Sequence, residues 1–515
     1  MSRKLLSSLL LIVLAASAAQ GKNGQDGRLE QIVITVDTTL NANKKVAARM
    51  KAPGYDGQIG IKLRGNSSLS FNQKKYTIEL RDDQGRELDA PLLGMPAHSD
   101  WVLLAPYNDV SAVRDPLAFQ LWRDMGHWGP RTRMVELTLN GDYRGIYILS
   151  EAIKRGHDRV DIAKLKKSDV AGRDLTGGYL LRIDTYNDDD ATFPSKVPGI
   201  GDGIMTSQIT WSCIYPKKKK LRPEQLAYIE SYVDTVEQVI QSSDFADPDR
   251  GYARYIDVPS FVDYFIHTEL SLNADGYKRS AYFYKEKQRT DGSGGKLVAG
   301  PVWDYNLAYG NCNFANANNL EAWCFEGANT NPTPALWQRL LQDPAFRRAV
   351  KVRYKALRRD VLSLKAINGY IDRHARLLAP CVERHFATYP ELLVTEEQKQ
   401  QQTAAQQSFG GFFGGFGGFP QMGDSIPQFP GGFPQMGDFG AFNPVGMFAA
   451  YRVSSYDEEI RVLKQWIADR LAFLDRNIER FDRDWQPRIQ ELREIKMPQF
   501  PGFPGFGAFG GFGGN

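Results

Sequence analysis

The sequence predicts an α+β protein in two lobes, a β-rich N-terminal one and a helical C-terminal one, and three observations predict it. Over residues 29–150 apolar and polar side chains alternate in short runs broken by Gly, Asn and Asp, as in strands that bury one face. From Pro223 onward apolar residues recur every three or four positions, the spacing of a helix face. At the front of that helical half stand two turns beside β-rich runs, each carrying one aspartate, Asp275 and Asp304. Neighbouring loops bring two acids to one cleft in this way.

The elements follow in order. Met1-Ser2-Arg3-Lys4, the apolar run Leu5 to Ala16, and Ala16-Ser17-Ala18 read as a signal peptide over residues 1–20. The run is too short to span a bilayer, and no Cys follows it for lipid attachment, so no transmembrane anchor is predicted. The expected protein is soluble and secreted, periplasmic or held at the cell surface. Its domain covers 21–485, with one lobe over 29–151 and the other over 152–485.

Gly60-Ile61-Lys62-Leu63-Arg64 and Tyr76-Thr77-Ile78-Glu79-Leu80 alternate as strands. One helix interrupts the β-rich region from Val110 to Met125, with Val113, Leu117, Leu121 and Trp122 on one face. Met134 to Leu139 and Tyr143 to Leu149 then flank Asn140-Gly141-Asp142, a hairpin with an Asn-Gly turn. Helices are predicted over 223–243 and 258–272, then two strands carry the aspartate motifs, and further helices fill 334–390. Residues 402–446 are rich in Gly, Phe, Pro, Gln and Met, and Phe419 to Asp424 recurs as Phe433 to Asp438. Such composition predicts a disordered insertion. Ser455 and Glu458 form a capping box that opens a last helix to about residue 485, before a Gly/Phe-rich tail over 497–515.

At 515 residues and 42% hydrophobic the chain can bury the core of one large or two medium domains. A net charge of +4 is too small to imply nucleic acid, and Lys217 to Lys220 read as a solvated loop. Of four cysteines, Cys312 and Cys324 close a short Asn-rich loop, which predicts a disulfide in an oxidising compartment. No CxxC spacing accompanies them and the six histidines are scattered, so zinc is not predicted.

The two aspartates carry the chemistry. Phosphoryl transfer needs one acid to accept the proton of the attacking hydroxyl and another to hold Mg²⁺ against the phosphates. A protein kinase places its base five residues before a metal-binding Asn, and then, beyond a pair of strands, a metal-binding Asp. Asp275 and Asp304 fit that order, with Ser280 at the Asn position and Asn306 two residues past Asp304 able to supply the missing oxygen. Turn capping is the structural alternative for both acids. Upstream, Arg64-Gly65-Asn66-Ser67-Ser68 lies between two strands, where Arg64, the hydroxyls of Ser67 and Ser68 and backbone N–H groups can hold phosphate oxygens. Lys74 and Lys75 start the next strand, and alternation allows only one of them to face a cleft. Glu151 ends the strand by which the chain leaves the sheet, the hinge position whose backbone would meet adenine.

These pieces in order resemble the spore coat protein H (CotH) kinase family, an atypical, exported kinase family. The resemblance rests on Arg64 to Ser68 with Lys74-Lys75-Tyr76; on His98 to Leu103, Asn108-Asp109-Val110-Ser111 and Arg114; on Asn140 to Tyr147 ending in Glu151; and on Asn273-Ala274-Asp275 and Pro301-Val302-Trp303-Asp304. It implies an atypical bilobal protein-kinase-like fold that binds ATP with Mg²⁺ or Mn²⁺ and phosphorylates Ser or Thr of protein substrates. Asp275 is implied as catalytic, and Asp304 as metal ligand. The predicted helix over 110–125 has no Glu to pair with the lysine, only Asp115 and Asp124. Two other readings stand beside it: a non-catalytic surface adhesion protein, with self-association through the Gly/Phe-rich segments, and a glycoside hydrolase using both acids.

Overall fold

The computed structural model describes residues 29–185, 190–197, 199–200, 208–313, 317–326, 333–399 and 450–482. The expected signal peptide, the insertion over 402–446 and the tail lie outside the described residues. The chain is α+β. Its first part is a closed seven-stranded barrel with strand order β1 (Glu30–Thr35), β2 (Val46–Ala52), β3 (Tyr55–Arg64), β4 (Lys75–Arg81), β7 (Asp100–Leu104), β9 (Asp142–Glu151) and β8 (Thr132–Leu139). The ribbon of β5 (Ala90–Leu92) and β6 (Met95–His98) stands apart.

Alternation builds the barrel, because Ile59 and Ile61, Tyr76 and Ile78, and Trp101 and Leu103 point inward and are buried. Closure was not legible in it. β1 pairs β8 in parallel, Glu30 opposite Val135 through Ile34 opposite Leu139, and a contact over a hundred residues apart leaves no local trace. The β8–β9 hairpin forms as the Asn-Gly pair requires, with φ 52° at Asn140 and 85° at Gly141. The inserted helix α1 (Arg114–Asp124) begins four residues later than its apolar spacing suggests. The reason is Asp109, whose carboxylate takes the N–H groups of Ser111 and Arg114 at 3.2 and 3.0 Å, while Ala112 turns to φ 54°.

The second part is not purely helical. A five-stranded antiparallel sheet runs in the order β11 (Ala191–Pro194), β13 (Thr210–Tyr215), β10 (Tyr179–Ile183), β14 (Ala281–Lys285) and β15 (Leu297–Ala299). A two-residue ribbon joins β12 (Gly199–Ile200) to β16 (Thr333–Pro334). The strand Tyr179-Leu180-Leu181 escaped the reading because it is buried on both faces, and a doubly covered strand does not alternate. The helices of this part are α2 (Pro223–Gln241), α3 (Val258–Ser271), α4 (Ala335–Gln342), α5 (Pro344–Arg358), α6 (Leu364–Thr388) and α7 (Tyr456–Ile478), with α3 packed against β15 of the sheet and α6 against β9 of the barrel. Helix α3 is buried from Ser260 to Ser271, so it is the core axis of this part.

Ser455 caps α7 by accepting from Glu458 N–H at 3.2 Å. The reciprocal half of the capping box lands one residue early, since Glu458 accepts from Ser454 N–H at 2.9 Å. Cys312 and Cys324 carry thiols and no disulfide joins them, a correction to the expected pairing: both are packed behind the Asp275 turn, where Cys324 Sγ meets Asn273 O at 3.5 Å. Among the described residues no helix is long and apolar enough to cross a membrane.

Candidate active site

The β3–β4 hairpin roofs a cleft of about 340 Å³ between barrel and sheet. Its inward-facing residues fill the barrel, so the alternate ones, Lys62 and Arg64 of β3 and Lys75 and Thr77 of β4, line the cleft. They are cross-strand neighbours, Lys62 opposite Thr77 and Arg64 opposite Lys75. The turn between the strands carries Ser67 and Ser68 into the same space. Gly65 makes that turn possible: its φ is 125°, and a Cβ there would stand 2.0 Å from Ser68 Oγ. Arg64 lies over the buried Trp303 ring at 5.3 Å, which holds a cation at the rim.

Two loops form the floor. Helix α3 ends with Leu272 at φ 44°, and the chain turns so that Asn273 Oδ1 accepts from Asp275 N–H at 3.2 Å. Asn273 Nδ2 reaches across to Asp304 O at 3.5 Å, so one side chain ties both loops. Asp304 itself has φ 63°, a conformation costly for a non-glycine residue. It is maintained from the outside: Tyr305 N–H donates to Asp115 Oδ1 at 2.6 Å, Asn306 Nδ2 donates to Asn108 Oδ1 at 2.9 Å, and Arg114 Nε donates to Ala308 O at 3.1 Å. Lys75 Nζ closes the cleft at 3.7 Å from Asp304 Oδ1.

Electrostatics sharpen the picture. Burial lifts the Asp275 carboxyl to about 6, with the Asp304 and Asp184 charges adding to it and Arg279 opposing. Asp115 rises to about 7, first by burial and then by the charge of Asp304. Acids on the floor thus face cations on the roof, and Asp184, Arg182 and Arg279 line the same space.

A family comparison decides what kind of chain carries this cleft. The model of the CotH kinase protein family matches residues 61–474, from the middle of β3 to near the end of α7. The chain belongs to the CotH kinase protein family. A relative is inner spore coat protein H of Bacillus subtilis (strain 168), 22% identical over 310 residues that cover 59% of this chain and 72% of that protein.

Within this CotH chain the structure sorts the residues singled out from sequence. Arg64, Ser67, Ser68, Lys75, Asp275, Ser280, Asp304 and Asn306 all line the cleft. Lys74 does not: its ammonium donates to Leu69 O at 2.7 Å, because alternation sends it to the face opposite Lys75. Glu151 is also outside. It is fully buried, its N–H is spent on Arg131 O at 3.1 Å, and its carboxylate binds Arg131 at 2.8 Å and Arg159. Its carbonyl accepts from Ser150 Oγ at 3.1 Å.

Sequence reasoning missed Lys62, Arg182, Asp184 and Arg279 in the lining; Asn108, quoted only as part of a motif, lines the cleft too, and Asp115, weighed only as a partner for the lysine, stands behind it. Lys62 shares the alternation of Arg64 and was open to inference. Arg182 belongs to the unread strand β10, and Asp184 directly follows it. The motif Asn108-Asp109-Val110-Ser111 with Arg114, which had no role from sequence, is the cradle of the Asp304 loop. Among the described residues no three His, Cys, Asp or Glu side chains converge as a metal cage. The donors present suit a hard cation such as Mg²⁺, which takes one or two carboxylates and completes its shell with water and substrate phosphates.

Proposed function

We propose that this CotH-family protein is an exported, atypical kinase on a bilobal kinase-like scaffold, transferring the γ-phosphate of ATP to Ser or Thr of surface or secreted proteins. The observation that carries the reading is Lys75 at 3.7 Å from Asp304 in a cleft shared with Asp275. A cation for phosphate, an acid for metal and an acid for the incoming hydroxyl are the parts phosphoryl transfer requires.

Lys75 and Arg64 neutralise phosphate oxygens, helped by the N–H groups and hydroxyls of the Gly65–Ser68 turn. Asp304 and the amide oxygen of Asn306 would hold Mg²⁺ or Mn²⁺, which when bound screens the charge developing on the transferred phosphoryl group. Asp275 receives the hydroxyl of the protein substrate, orients it and takes its proton. A carboxyl lifted to about 6 is ionised at neutral pH yet more basic than an ordinary aspartate, which suits a general base. Asp115 acts through the backbone of Tyr305 and touches no substrate. An adhesive protein would have no use for this pairing of roof cations with floor acids.

The test is calorimetry with ATP, with and without Mg²⁺ or Mn²⁺, followed by mass spectrometry of a Ser/Thr-rich protein incubated with the enzyme. Metal-dependent ATP binding is expected, and Asp304→Ala is expected to abolish it while the fold persists. Unchanged autophosphorylation in that variant would overturn the assignment.

A further inference from the structure

A kinase catalytic loop carries a metal-ligating Asn five residues after its base, and here that position is Ser280. A hydroxyl is a weaker ligand for a hard cation than an amide or carboxylate oxygen. Ser280 precedes β14 at φ 48°, and its Oγ–H points at a neighbour, donating to Asp184 Oδ2 at 3.4 Å.

That neighbour is placed by strand register. β10 pairs β14 antiparallel and ends with Ile183 opposite Ala281, so the next rung sets Asp184 opposite Ser280. The fold therefore delivers a carboxylate from just past the end of another strand to the spot where the loop lacks an amide. Asp184 lines the cleft with Asp275 and Asp304, and its side chain keeps 16% exposure there. Its Oδ1 accepts from Thr185 N–H at 2.8 Å. Its Oδ2 has longer contacts, Ser280 at 3.4 Å and Arg182 Nη1 at 3.6 Å. Arg182 is held back by Asp190, 2.7 Å from its Nη2.

We propose that Asp184 is a metal ligand of this cleft, supplying the oxygen that the catalytic loop lacks at Ser280, and that Ser280 orients Asp184 instead of ligating. The inference rests on the kinase reading above and adds a residue to it. A carboxylate in place of an amide puts one more negative charge beside the metal, and Arg182 and Arg279 flank it on the cleft wall.

The test titrates Mn²⁺ into the full-length protein saturated with a non-hydrolysable ATP analogue, read by electron paramagnetic resonance. Asp184→Ala is expected to weaken Mn²⁺ about tenfold or more without shifting the thermal midpoint, and Asp184→Asn, which retains an amide oxygen, to stay within a few-fold of wild type. Installing Ser280→Asn in the Asp184→Ala background is expected to restore most of the affinity, which lost packing alone would not do. Wild-type Mn²⁺ affinity in Asp184→Ala, or a loss in Ser280→Ala as large as that in Asp184→Ala, overturns the proposal. Should wild type and Asp304→Ala both fail to take Mn²⁺ with the analogue, the kinase reading fails first.

Discussion

Asp275 and Lys75 concentrate what single residues do in this cleft. The Asp275 carboxyl sits at about 6 instead of 3.8, chiefly through burial. Only its ionised form can take a proton, so phosphate transfer is expected to rise with pH through about 6, a limb that Asp275→Asn removes. That variant should bind nucleotide within a few-fold of wild type and transfer phosphate roughly 10²-fold more slowly, as read by paired calorimetry and mass spectrometry. Linkage gives a second readout. Between pH 3.8 and about 6 the folded protein keeps a proton that the unfolded chain has released, so this group lowers stability as pH rises across that window. Asp275→Asn is therefore expected to gain stability over wild type at pH 8 and to lose that advantage near pH 4. The lysines divide as cleanly. Lys75→Ala removes the Asp304 partner and should weaken ATP markedly, whereas Lys74→Ala, whose ammonium donates to Leu69 O on the other face, should leave ATP affinity within a few-fold.

At the scale of elements, Arg114 links three stretches distant in sequence. Fully buried at the start of α1, it meets Asp109 at 2.6 Å, Glu459 of α7 at 2.5 Å and Tyr451 Oη at 2.6 Å, and holds Ala308 O of the Asp304 loop. The guanidinium stays charged there because both carboxylates and Tyr451 offset the cost of its burial. Removing one member leaves a buried charge undercompensated, which costs about 3–5 kcal/mol. Glu459→Ala is expected to lose stability on that order in urea denaturation, and to loosen the Asp304 loop although α7 never enters the cleft.

For the whole molecule, α7 returns from beyond the Gly/Phe-rich insertion to complete the core, with Leu463, Ile467 and Leu474 fully buried. The described flanks of the insertion are already joined, Val394 N–H to Val453 O at 3.0 Å and Lys399 to Glu458. A short linker can therefore span them, and loop length costs only about 0.6 kcal/mol per doubling. Deleting 402–446 with such a linker is expected to preserve cooperative unfolding and its midpoint, whereas cutting the chain at 400 should abolish folding. A loss of cooperativity on deletion would show that the insertion packs against the rest.

By itself the sequence determined the α+β class, strands β3, β4, β8 and β9 of the barrel, the Asn-Gly hairpin, most of the helices, and Asp275 and Asp304 as the acids of interest. Each of these is written in local spacing or turn chemistry, which needs no knowledge of what packs where. Only the tertiary structure decided that the barrel closes through β1 and β8, that Lys75 and not Lys74 faces the cleft, and that Glu151 is a buried ion-pair residue away from it. It also brought Asp184 beside Ser280 and gave the Asn108–Arg114 motif its task of cradling the Asp304 loop. These depend on which strand lies next to which and on which face water is excluded from. Register and burial are properties of the assembled chain, and no window of neighbouring residues contains them.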